Sequence, residues 1–252
     1  MEVDSHDHGS FCFAELNTPD PGPGKRFYGS LLGWGAVDIP INSHHYSLFQ
    51  KEGRDVAALR WDGRTPHRWV PYVHVKSIDR TAARARDLGA TIVAATSGMP
   101  DRVRTCVFSD PEGAVLGLWE GHGHHGARLV NEAGTLWWFE LLARDIGKAR
   151  QFYTSLFEWD VVETLKYGPL PYTIFKIGVQ SVGGGVQFGD DWDVSPRWQV
   201  YFAVDDYKAT VARAAALGGT LMFERDVPET GRMGIIRDDR HAIFVVMEPI
   251  RA

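Results

Sequence analysis

The chain repeats itself, and that repetition restricts its fold more than any other feature. Phe13-Ala-Glu-Leu-Asn-Thr-Pro-Asp20 is echoed by Trp138-Phe-Glu-Leu-Leu-Ala-Arg-Asp145, and the Phe-Tyr-x-Ser-Leu-x-x-Trp segment ending at Trp34 by the one ending at Trp159, both at an offset of 125. Further on, Trp69 to Val75 answers Trp198 to Val204 at an offset of 129, and Asp110 to Ala114 answers Asp238 to Ala242 at 128. The drift falls between elements, where insertions cost little. Self-similarity on this scale means two copies of one domain, each with its own core.

Each copy reads as two successive β-α-β-β-β units. In the first, a strand over Phe11 to Asn17 leads through a Pro/Asp turn to a helix over Gly24 to Leu32, with Phe27, Tyr28, Leu31 and Leu32 on one face. Strands follow near Tyr46 to Gln50 and Val56 to Trp61. The second unit runs from a strand at Val70 to Val75, through a helix at Asp79 to Leu88, to strands Thr91 to Ala95, Arg104 to Ser109 and Val115 to Trp119. This divides the chain into a loose N-terminus (1–9), a first domain (10–120), a Gly/His-rich linker (121–134) and a second domain (135–250).

Bulk properties exclude several classes of partner. With Lys/Arg and Asp/Glu interspersed and a net charge of -5, there is no basic stripe to hold nucleic acid. The longest apolar runs, such as Ala242 to Met247, are far short of the roughly 20 residues a membrane helix needs. The opening MEVDSHDHGS lacks a charged-then-apolar export pattern, so a cytoplasmic protein is expected. Cys12 and Cys106 sit in apolar strand-like runs and read as reduced core thiols.

An Asp-ended first strand, a helix carrying Phe-Tyr and closing on Leu-Gly-Trp34, and the Asp110-Pro-x-Gly-Ala114 hairpin together resemble the vicinal oxygen chelate superfamily. That superfamily includes glyoxalase I, extradiol dioxygenases, fosfomycin-resistance and bleomycin-binding proteins. The look is nearest to its two-domain actinobacterial members labelled glyoxalase/bleomycin-resistance-like. The resemblance spans about Ser10 to Glu248 and implies an α+β fold: two tandem domains, four βαβββ units, two curved sheet cups. In the superfamily a metal is held by residues on first and last strands. The positions that match hold Phe13 and Trp138, Gly117 and Val245, Val70 and Gln199, plus a stretch in which only Asp55 carries a ligand group. One glutamine cannot hold a divalent ion, so neither metal nor other cofactor is expected.

What faces each cup then decides the chemistry. Because side chains alternate along a strand, Glu15 and Asn17 share the face of Phe13, and Glu140 shares that of Trp138. A carboxylate among aromatics could be a general base or bind a ligand's hydroxyl; equally, it could be structural, satisfied by backbone N–H or by an arginine such as Arg104 or Arg232. Tyr72 and His74 share one face in the first copy, Gln199 and Tyr201 in the second, so His74 is unmatched. Candidate catalytic residues are Glu15, His74 and Glu140. The tryptophans at matched positions (Trp34/Trp159 and Trp69/Trp198) read as packing residues, whereas Trp61, Trp119, Trp192, Tyr46, Tyr167 and Tyr172 read as pocket walls. Phe13, Asn17, Tyr46, Trp61, Tyr72, Arg104, Trp119, Trp138, Gln199 and Tyr201 are the candidate ligand contacts. Two functions stay open: binding of a planar or polyketide-like molecule in an aromatic-lined cup, or metal-independent isomerase, cyclase or lyase chemistry by a cup-facing glutamate. Either is compatible with a monomer or a homodimer, and the first cup, with Glu15, Asn17, Tyr72 and His74, is the expected working site.

Overall fold

The computed structural model describes residues 1–41, 44–61, 63, 66–97, 102–167, 170–189 and 194–250. The first half runs β1 (Phe11–Thr18), α1 (Pro21–Leu32), β2 (Gly35–Ile41), β3 (His44–Lys51), β4 (Arg54–Trp61), β5 (Arg68–His74), α2 (Ile78–Asp87), β6 (Thr91–Ser97), β7 (Val103–Ser109) and β8 (Val115–Gly121). The second runs β9 (Leu136–Ala143), α3 (Ile146–Phe157), β10 (Asp160–Thr164), β11 (Tyr172–Ile177), β12 (Gln180–Gln187), β13 (Arg197–Ala203), α4 (Tyr207–Ala216), β14 (Thr220–Val227), β15 (Gly231–Arg237) and β16 (Ile243–Pro249). Each half is one eight-stranded sheet, ordered β2-β3-β4-β1-β5-β8-β7-β6 and β10-β11-β12-β9-β13-β16-β15-β14. Within a unit the first strand pairs parallel with the last, and the two units join antiparallel through β1/β5 and β9/β13.

The four helices are set by their caps. Asp20, Ser77, Asp145 and Asp206 each accept a hydrogen bond from a first-turn backbone N–H, satisfying a donor the helix cannot. The second helix therefore begins at Ile78, capped by Ser77, and not at Asp79. The strand β2 is not legible in the sequence because it is an edge: among the described residues it pairs only with β3, and it contains Pro40 and lacks a buried alternating face.

Strand β1 is buried along its whole length, one face in the cup and the other against helices and the neighbouring half. The two halves share a continuous aromatic core. Phe11 stacks on Phe139 at 4.2 Å, and Trp34 meets Phe202 at 5.2 Å. A reciprocal relay crosses the boundary twice. Trp69 Nε1 donates to the Tyr28 hydroxyl, which donates to Asp238, each at 2.8 Å. Trp198 donates to Tyr153 and Tyr153 to Asp110 at the same distances. Trp34 and Trp159 likewise donate to Gly134 O and Gly9 O, in the segments that flank the opposite copies. The four repeated tryptophans are thus core residues with satisfied N–H groups.

Residues 1–9, expected to be loose, are held by the linker and by β5: Val3 N donates to Arg128 O and Gly9 N to His74 O, while Ala127 N of the linker donates to Cys12 O of β1. Linker residues His124, Ala127 and Leu129 are buried. Cys12 and Cys106 are free buried thiols, and burial pushes that of Cys12 well above its ordinary value. Among the described residues, no helix is long and apolar enough to cross a membrane.

Candidate functional site

Each cup is organised around a glutamate clasped by tyrosines. Glu15 accepts hydrogen bonds from Tyr46 and Tyr72, both at 2.6 Å. Glu140 accepts one from Tyr201 at 2.8 Å, a longer one from the Gln199 amide at 3.4 Å, and one from Tyr172. Tyr46 and Tyr172 correspond at an offset of 126, so the clasp belongs to the repeat. Both were expected as pocket walls, and their equivalence shows once the strands are aligned across the small insertion. The clasp requires a glycine beside the ring in each copy. A Cβ on Gly117 would lie 2.3 Å from the Tyr72 ring, and one on Gly184 2.0 Å from the Tyr172 hydroxyl.

The first cup is sealed at the residues expected to work there. Phe13, Tyr72 and Trp119 are fully buried, and Glu15, Asn17 and Tyr46 nearly so. The linker supplies the plug: the His124 ring packs 5.3 Å from those of Phe13 and Trp119, and Trp119 Nε1 donates to His124 O at 2.9 Å. The His124 ring also lies 3.2 Å from the Asp55 carboxylate. This part of the linker is therefore a packing element.

The second cup is open. A cavity of about 270 Å³ is walled by Trp137, Trp138, Tyr167, Tyr172 and Tyr201, with Met233 and Met247 behind and Glu140 in the wall. The difference lies in side-chain size. Met247 stands where the first copy has Trp119 and Trp138 where it has Phe13, and among the described residues none of the linker lines the cavity. Trp138 is partly exposed and fixed by its Nε1 donating to the Tyr172 hydroxyl at 2.9 Å. Arg225 and the hydroxyl residues Ser181 and Thr230 complete the lining. These, with the two methionines, are site residues that the sequence reading did not select.

Burial raises the Glu140 carboxyl above its ordinary value, against the opposing pull of Tyr201, Tyr172, Arg225 and Gln199. The four clasping phenols, Tyr46 and Tyr72 beside Glu15 and Tyr172 and Tyr201 beside Glu140, are pushed well above theirs, by burial first and the adjacent carboxylate second. Since the folded chain binds the Glu140 proton more tightly than the unfolded chain does, its contribution to stability is fully present below the ordinary glutamate range. It is lost as pH rises from there through the raised value. Glu140→Gln lacks this titration, so its stability relative to the parent is expected to increase between pH 4 and pH 8. Urea unfolding of both chains across that range tests it, and a constant difference would refute the assignment.

Other expected residues lie elsewhere. Arg104 is on β7 facing the helices, paired with Asp79 at 2.9 Å and Glu120 at 3.4 Å, so it is an ion-pair residue and not a cup contact. His74 ends β5 beneath the N-terminal segment, half-buried, with burial lowering its basicity and His8 and His125 nearby; it is not joined to the Glu15 clasp. Trp61 is half-buried against the core, Gln199 is buried behind Glu140 with its Oε1 unpaired, and Trp192 lies outside the described residues.

The site does not suit the metal that the fold implies. Around Glu140 the possible donors are one carboxylate, one amide and phenols held protonated, and among the described residues no three His, Cys, Asp or Glu side chains converge in a metal-holding arrangement. At Gly117 the Tyr72 ring occupies the space a ligand side chain would need.

The chain is 35% identical over 250 residues (96% of this chain, 95% of the other) to the Mycobacterium bovis protein named "Putative glyoxylase CFP32". It is 30% identical over 257 residues (95% and 93%) to "Anthracycline biosynthesis protein DauV" of Streptomyces sp. strain C5. Among solved structures, the fold matches a Mn(II)-bound glyoxalase from Novosphingobium aromaticivorans (TM-score 0.65, 13% identity, 97% of this chain and 83% of that one). It also matches homoprotocatechuate 2,3-dioxygenase from Arthrobacter globiformis (TM-score 0.67, 17% identity, 98% and 81%). At such identity these two show the fold alone. The glyoxalase-like domain model matches residues 11–118 and again 138–246, and the chain belongs to that family as a tandem of two such domains.

Proposed function

We propose that the second cup binds a planar, polyketide-like small molecule without the help of a metal, for sequestration or carriage. The observation that carries this is the open cavity itself: five aromatic side chains around about 270 Å³, with a few polar groups converging on it. Such walls hold flat ligands by area burial and ring stacking. The 30% identity to a protein named for anthracycline biosynthesis supports an aromatic polyketide as the ligand class.

A second reading is favoured by one observation, the raised Glu140 carboxyl in the cavity wall. A carboxyl that ionises nearer neutrality can move a proton beside a ligand carbonyl, as an isomerase, cyclase or lyase would need. His74, which ends β5 in the other half, is not among the residues lining this cavity.

One titration separates these outcomes. Calorimetric titration with 1,8-dihydroxyanthraquinone is expected to show saturable binding, and Trp138→Ala is expected to weaken it at least tenfold, since a stacked and buried indole contributes about 1.5–3 kcal/mol. Recovery of the compound unchanged supports binding; conversion that Glu140→Gln abolishes supports the second reading. Absence of binding overturns both. Metal analysis of tag-free protein tests the metal-free part, and a stoichiometric divalent ion would overturn it.

A further inference from the structure

We propose that Arg225 makes the second cup selective for an anionic ligand, an aromatic molecule carrying a carboxylate or an ionised phenol or enol. The inference rests on the cup being the binding site and adds the charge of its occupant.

Arg225 lies on β14 opposite Met233 in register and lines the cavity, half-buried. Among the described residues no carboxylate bonds its guanidinium. Its neighbours on the same hairpin behave differently: Arg232 is paired with Glu224 at 3.0 Å and lies 3.8 Å from Asp226, which takes both adjacent acids away from Arg225. Alternation along β14 explains this, since Glu224 and Asp226 flank Arg225 and point to the opposite face.

The acid that does face Arg225 is Glu140, near enough for the arginine to favour its ionisation. That carboxyl is already saturated with donors from Tyr201, Tyr172 and Gln199. The remaining groups facing the cavity are neutral: tryptophans, tyrosines, methionines, Ser181 and Thr230. A half-desolvated guanidinium beside an apolar wall therefore has hydrogen-bonding capacity that only an arriving acceptor fills, and a planar fork of donors matches a carboxylate or a peri-related pair of oxygens. Water exclusion by the ligand's own rings strengthens that contact.

The test uses anthraquinone-2-carboxylate and its methyl ester, titrated calorimetrically into the full chain at pH 7.5. The acid is expected to bind at least tenfold more tightly than the ester. Arg225→Met is expected to erase that difference, and Arg225→Lys to keep part of it, with circular-dichroism melting to confirm folding of both. Added salt is expected to weaken the acid more than the ester. Equal affinity for acid and ester overturns the charge inference and leaves the aromatic site standing. Failure of both probes to bind overturns the site and this inference with it. An Arg225→Met chain that still prefers the acid would also overturn it.

Discussion

A chain carrying Gly117→Ala is expected to lose about 2–4 kcal/mol of stability, the range of a severe overpacking in a closed core. The new methyl would stand 2.3 Å from two carbons of the Tyr72 ring, far inside van der Waals contact. The ring cannot swing away without consequence, because its hydroxyl donates to Glu15 at 2.6 Å and the whole side chain is buried between Phe13, Trp119 and the sheet. Any movement breaks a buried hydrogen bond to a carboxylate as well as packing. Urea unfolding measures the cost, and a loss below about 1 kcal/mol would mean that the first cup is looser than its geometry indicates. Gly117→Glu, which places a carboxylate where metal-holding relatives of this fold carry one, is expected to destabilise at least as much and to gain no divalent ion. The reason is that Phe13, Val70 and the Tyr72 ring leave it no partner donors. The packing of this half thus leaves no room for a larger side chain at Gly117.

Asp238→Ala is expected to lower the melting temperature by about 10 °C, equivalent to about 3–4 kcal/mol for a chain of this length. One oxygen of this buried carboxylate accepts the backbone N–H groups of Arg240 and Ala242 at 2.9 and 2.8 Å, which shapes the hairpin before β16. The other accepts the Tyr28 hydroxyl at 2.8 Å and lies 2.9 Å from His67 Nε2. Alanine leaves all of these without a partner, in a place water does not reach. Asp110→Ala removes the same hairpin bonds and the Tyr153 contact, but no histidine, so its loss is expected to be somewhat smaller. Because each relay joins a helix of one half to a hairpin of the other, both substitutions are expected to weaken the two halves together. Differential scanning calorimetry is the measurement, and two separate transitions in Asp238→Ala would contradict a shared core.

The expectation that the first cup works rested on its unmatched polar residues, Asn17 and His74. Polarity along a strand shows which face a side chain is on, not whether anything covers that face. Asn17 is covered, and His74 belongs to the contact with the N-terminal segment. Arg104 was misplaced for a related reason: one step of alternation puts it on the helical side, where Asp79 and Glu120 hold it. Glu140, Trp138 and Tyr201, by contrast, were selected from the sequence and do line the open cup, together with Tyr167 and Tyr172.

The sequence by itself determined the duplication, the four units, the helices and the buried strands that carry Glu15 and Glu140, because periodicity and repeated caps are local and each copy states them independently. Only the tertiary structure decided which cup is open. That depends on the linker's His124 coming to rest on Phe13 and Trp119 in one half, while in the other Met247 replaces the tryptophan and none of the linker's described residues lines the cavity. Contacts between residues so far apart in sequence follow from how the halves close on each other, and side-chain volumes along a strand do not reveal them.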